Sequence, residues 1–292
     1  MSAPARAWAW VRRNALLIYA GLAVAYMLIP IAVIAVFSFG ATPKDKLTFG
    51  LDNGFTTEYW RTMFSKPELN EALITSLRLA LFATLIATAI GTAMAIALVR
   101  HRFRGKRLAN LLIVIPMATP EVVIGASLLS MFIYYSFALG FTTLLIAHVM
   151  FSISFVVVVV RSRLIGFDRN IEEAAADLGA GPLTTFRTVT LPLLAPGVVS
   201  AALLAFALSI DDFVISNFNS GTTVTFPLYV YGVSLRGIPV QVNAIATLLF
   251  LLAVIAVGLV LFQQRRAEKM AAVQPEEEPG GPIPLPGTAA AQ

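Results

Sequence analysis

Long intervals without a formal charge dominate this chain and dictate how it can fold. No formally charged side chain occurs between Arg13 and Lys44, and from Leu108 to Val160 the sole one is Glu121. A helix crosses the hydrocarbon core of a bilayer with about 20 apolar residues, pairing all its backbone polar groups within the segment. Charges that bracket such intervals therefore delimit spans, and six are predicted: about 15–39, 73–99, 108–133, 141–160, 197–218 and 244–262. The stretch from Leu108 to Val160 is too long for one crossing and is divided near 134–140. The N-terminal Arg12-Arg13 pair followed by an apolar run has the form of a secretory signal, but the apolar run continues to Phe39. That exceeds the ~7–15 residues of a signal core, so an uncleaved first span is expected.

Composition leaves little room for a soluble alternative. At 58% hydrophobic, 13% charged and a mean hydropathy of +0.82, 292 residues cannot hide their apolar surface in one aqueous core. The fold class expected is an all-α polytopic membrane protein. The absence of cysteine excludes disulfides, thiolate metal sites and a cysteine nucleophile. A net charge of +5 invites a nucleic-acid reading, but the basic residues flank the predicted spans. Fifteen of the 21 lysines and arginines lie in the N-terminal segment, the second-to-third and fourth-to-fifth connections and the tail. By the positive-inside rule these segments, and both termini, are cytoplasmic.

The expected organisation is a cytoplasmic segment 1–14, a first span 15–39, an external loop 40–72, a transmembrane core 73–262 containing a cytoplasmic loop at 161–196, and a tail at 263–292. In the external loop, Lys44, Asp45 and Lys46 with Trp60 offer a partner surface, although Tyr59 and Trp60 equally suit a membrane interface. Pro, Gly and Glu crowd the tail beyond Ala271, which predicts no fixed structure there.

Residues 173–192, EAAADLGAGPLTTFRTVTLP, form a polar segment between two spans. Ile171, Ala174, Ala175 and Leu178 recur at helical spacing, with Glu172, Glu173 and Asp177 off that stripe. Gly179 and Gly181 can end this helix, Pro182 suits the first turn of another, and Phe186 with Val189 supplies the second helix with an apolar contact before Leu191 and Pro192. A helix, a turn and a second helix are predicted.

Charges inside spans form a second signal, because each costs roughly 2.5–3.5 kcal/mol at the centre of a lipid-exposed helix. Asp211 and Asp212 follow Gly197 by 14 and 15 residues and Glu121 follows Leu108 by 13, which places all three carboxylates about 20 Å along outward-running helices. Arg78, entering the second span from outside, is the candidate ion-pair partner for an aspartate. Three acids against one in-span arginine leave an anionic excess suited to a cationic substrate. Pro116 and Pro120 predict a kinked or broken third span beside Glu121. His148 is expected to bond within the bundle, and His101 lies in a basic loop without a specific assignment.

The spacing Glu173-Ala174-Ala175, three residues, Gly179, nine residues, then Val189 to Pro192 resembles the EAA loop of permease subunits of binding-protein-dependent ABC importers. SIDDFVISNFNSG at 209–221, MATPEVVIGASLL at 117–129 and QVNAIATLL at 241–249 narrow the resemblance to the second permease of spermidine/putrescine importers. The resemblance implies a type I importer permease fold in a bacterial inner membrane. It also implies a different permease as partner, a dimer of ATPase subunits below, and an extracytoplasmic binding protein delivering polyamine. Glu173, Ala174, Ala175, Gly179, Phe186, Leu191 and Pro192 would then couple to the ATPase, while Asp211, Asp212 and Glu121 would line the substrate path. No cofactor is expected on this chain; ATP and Mg belong to the ATPase. The sequence agrees in lacking a GxxxxGK[ST] phosphate loop, since Gly105-Lys106 is followed by Arg107, and in lacking HExxH and GxSxG. Two alternatives stay open: a permease of this class for another small cation or organic ion, and a self-contained secondary carrier using the acids for ion coupling.

Overall fold

The computed structural model describes residues 3–41 and 54–273, and every ordered element longer than a turn is a helix. In chain order these are α1 (Ala3–Phe37), α2 (Glu58–Arg61), α3 (Pro67–Arg100), α4 (Lys106–Ala118), α5 (Glu121–Tyr134), α6 (Phe141–Ile165), α7 (Asn170–Asp177), α8 (Pro182–Thr185), a π-helical turn at Phe186–Thr190, α9 (Leu191–Ile210), α10 (Val214–Asn219), α11 (Phe226–Ser234) and α12 (Val240–Val273). Five helical stretches are long and apolar enough to cross a membrane, and the bent pair α4 and α5 raises the number to six if it forms one span. The chain divides into two compact units, one of 1–39 and 243–292 and the other of 40–242.

Within the first unit, Leu16, Leu17, Leu22 and Tyr26 of α1 are exposed. Apolar side chains turned outward suit a lipid-facing span. The tail placed at 263–292 starts inside a helix, since α12 continues to Val273. Its helix-compatible sequence persists until the Pro- and Glu-rich run, which begins at Gln274 and lies outside the described residues.

The second unit is built on α3, α6 and α9. Ala87, Ala95 and Leu98 of α3 meet Val156, Val157 and Val160 of α6 and Ala201 and Ala205 of α9 in one core. Small residues allow this close approach. A Cβ at Gly91 would lie 2.6 Å from Val156 Cγ1, so α3 and α6 could not pack so tightly around a larger residue. A second core joins Ile124, Leu128 and Phe132 of α5, Ala147 and Phe151 of α6, and Ile215 of α10. In the loop between α1 and α3, Tyr59 is buried, while the Lys44, Asp45 and Lys46 cluster lies outside the described residues.

The third predicted span is broken, as Pro116 and Pro120 predicted: α4 and α5 diverge by 110°. Pro120 forces Thr119 into extended backbone, with φ −85° and ψ 134°, so α4 stops there and α5 restarts at Glu121. The fifth does not run helically over 197–218. The helical stretch begins at Pro182, passes through the π-helical turn into α9, and ends at Ile210; α10 is a separate element.

Candidate functional site

Both places where the chain breaks inside the hydrophobic region carry acids. Glu121 opens α5 and is exposed. Asp211 ends α9, its N–H donating to Ala207 O at 3.4 Å, and is also exposed. Asp212 lies in the irregular step before α10 and faces inward. Its Oδ1 accepts the Ile215 N–H at 3.2 Å and its Oδ2 accepts the Ser216 N–H at 2.8 Å, satisfying two donors at the start of α10. The two adjacent aspartates therefore do not project from one regular helix, as their position in a predicted 197–218 span required. The chain turns between their surroundings.

The partner of Asp212 is His148, not Arg78. His148 Nε2 stands 3.4 Å from Asp212 Oδ2 and 3.1 Å from Ser216 Oγ, while Nδ1 lies 2.8 Å from Ser209 Oγ. The imidazole is buried and ties α6 to the end of α9 and the start of α10, which agrees with the bundle-bonding role expected of it. Arg78 is exposed on α3 and forms an ion pair with neither aspartate. Sequence spacing missed the substitution because His148 and Asp212 stand 64 positions apart, and only the packing of α6 against α9 and α10 joins them. The same region is fastened by Asn219, whose Nδ2 donates to Gly125 O of α5 at 3.3 Å.

The polar segment after α6 adopts the predicted helix, turn and helix. Gly179 has φ +85°, the left-handed conformation that closes α7, and Pro182 starts α8. Glu173, Ala174 and Gly179 are exposed, Ala175 is half-buried, and Leu178 at the end of α7 is 90% exposed. Ile171, Ala174 and Leu178 of the α7 stripe are thus left uncovered among the described residues. Phe186 and Leu191 point differently: together with Thr84, Thr88 and Val198 they line a groove of ≈ 620 Å³ between α3 and α9. Pro192 is exposed in the first turn of α9 without stopping the helix.

Glu172, set aside by the sequence pattern, holds this segment to the bundle. Its Oε1 lies 3.0 Å from Arg100 Nη2 at the end of α3 and accepts the Thr190 hydroxyl at 2.7 Å. Arg100 also covers the Phe167 ring at 5.4 Å. Glu173, by contrast, pairs among the described residues with Arg169 at 3.8 Å on the exposed side of its own helix.

Comparison with known proteins gives a consistent result. Residues 87–269 match the family described as binding-protein-dependent transport system inner membrane component. The chain is 40% identical over 237 residues to the spermidine/putrescine transport system permease protein PotC of Haemophilus influenzae, covering 80% of this chain and 90% of the relative. It is 37% identical over 253 residues to the putrescine transport system permease protein PotI of Escherichia coli K12, covering 84% and 88%. Among solved structures, a bacterial ABC transporter involved in the import of the acidic polysaccharide alginate shares the fold with a TM-score of 0.62 at 16% identity, covering 90% of this chain and 99% of that one.

Proposed function

This chain belongs to the family of binding-protein-dependent transport system inner membrane components, and on that premise we propose that it carries polyamines through an acidic path in the membrane. It is a non-catalytic, multi-pass permease of a bacterial ABC importer, and ATP is hydrolysed by a separate subunit. The observation that carries the substrate reading is the placement of Glu121, Asp211 and Asp212 at the two breaks of the membrane helices, in a chain 40% identical to a spermidine/putrescine permease. Charged groups and irregular backbone at that depth are tolerated where they border protein or a water-filled cavity. Carboxylates on such a cavity attract spaced amines without a closed cage that would hold them.

In this reading the exposed stripe of α7, with Glu173, Ala174, Ala175 and Gly179, meets a dimer of ATPase subunits, and Phe186, Leu191 and Pro192 set the second helix behind it. A different permease completes the path, and an external binding protein supplies the polyamine. The decisive experiment reconstitutes the whole importer in proteoliposomes and measures uptake and ATP hydrolysis with spermidine, putrescine, other small cations and organic anions. Polyamine-dependent hydrolysis with ATP-dependent uptake is expected, and Glu121→Gln should slow uptake several-fold while assembly persists. Uptake of a different ion alone would sink the substrate assignment. Transport by this chain without an ATPase would support the secondary carrier instead.

A further inference from the structure

We infer that the adjacent aspartates have separate jobs: His148 and Asp212 form an internal lock across the α9–α10 break, and this lock presents Asp211 alone to the passing substrate. The inference rests on the polyamine-path reading and divides labour within it, making His148 and Asp212 positioning residues.

Three observations converge. Asp212 has only 6% of its side chain exposed, and both its oxygens are occupied by the Ile215 and Ser216 N–H groups and by His148. A carboxylate so engaged has little left to offer a diffusing cation, which would have to displace partners that are themselves buried. His148 is engaged at both ring nitrogens, to Ser209 before the break, to Asp212 within it and to Ser216 after it. One imidazole on α6 thus fixes the position of both chain ends flanking the break. Asp211, between them, is exposed, and its carboxylate has no ion pair and no hydrogen bond to another residue among the described residues. A carboxylate facing lipid at this depth would be costly, so its open side must meet water, a partner or substrate.

The lock predicts a pattern that simple packing by His148 does not. In the assembled importer, Asp211→Asn should lower spermidine uptake at least ~10-fold while the melting temperature stays near the parental value, since a charge is lost and nothing internal is broken. Asp212→Asn and His148→Leu should each lower the melting temperature of the complex by at least ~3 °C, as removal of one partner of a buried pair does. Combined, they should not add: in the His148→Leu background, Asp212→Asn should cost nothing further or restore stability, because it removes the carboxylate that lost its partner. His148→Gln, which can still donate toward Asp212, should fall between parent and His148→Leu. If His148→Leu prevents assembly, recovery of assembly by the added Asp212→Asn is the expected result, and no recovery would overturn the lock. Additive losses of stability would also overturn it, as would a loss of stability in Asp211→Asn equal to that in Asp212→Asn. Uptake at the parental rate in Asp211→Asn, with the stability coupling intact, would instead refute the acidic path and leave the lock standing.

Discussion

At the residue scale, Gly179 shows how a single backbone angle can set a turn. Its φ of +85° closes α7, and a Cβ there would meet nothing within 4 Å, so a side chain is excluded by conformation and not by space. Gly179→Val should therefore cost the loop about 1–2 kcal/mol through the left-handed backbone alone, leaving the α3, α6 and α9 core intact. Copurification of the ATPase with the permease should weaken and uptake should fall several-fold, while Gly179→Asn, which tolerates that conformation better, should retain more of both. Parental ATPase association and uptake in the valine variant would show that the turn is not used for docking. This glycine was legible in the sequence because its neighbours fix its role: a short amphipathic stretch before it and Pro182 after it. Asp212 was legible only as a charge. Its inward direction depends on His148 and on the end of α9 at Ile210, neither of which follows from hydropathy.

At the scale of elements, the long apolar helices were readable and their ends were not. Hydropathy is insensitive to where a helix begins within a polar loop, so the continuity from Pro182 through the π-helical turn into α9 was missed, although Pro182 had marked a helix start. In the π-helical turn the Leu191 N–H donates back to Phe186 O, a wide turn that resets the helix face at the entry to α9. Here Glu172 joins α7 to Arg100 of α3 and to Thr190 within that turn. The pair is only partly exposed, so breaking it should cost more than the ~1 kcal/mol of a surface pair and less than the ~3–5 kcal/mol of a fully buried one. A displacement of α7 can reach α3 through this pair. Arg100→Glu should reduce polyamine taken up per ATP hydrolysed, and adding Glu172→Arg should restore a substantial part of that ratio. A charge-reversed double variant no better than the worse single one would mean that the pair transmits nothing.

At the scale of the whole molecule, the number of spans decides which side every loop occupies, and the bent pair α4 and α5 decides the number. If the pair crosses once, six spans place the α7 segment and both ends of the chain on one side; if it dips in and returns, five spans separate the ends. The basic residues favour a crossing. Arg100, Arg102, Arg104, Lys106 and Arg107 lie between the last residue of α3 and the first turn of α4, whereas 135–140, between α5 and α6, contains no charge, as expected of segments on opposite sides. The absence of native cysteine makes the test direct. Single cysteines replacing Thr57, Ala138, Ser162, Thr184 and Thr222 all sit at exposed positions of the described chain. In right-side-out vesicles containing the permease pair without ATPase, a membrane-impermeant thiol reagent should modify positions 57, 138 and 222, and should reach 162 and 184 only after permeabilisation. Modification of 138 only after permeabilisation would make α4 and α5 a re-entrant hairpin and reduce the spans to five. External modification of 184 would put the α7 segment on the side opposite the ATPase, and the coupling role assigned to it would then fail on geometry, because ATP is hydrolysed in the cytoplasm and a docking helix must face it.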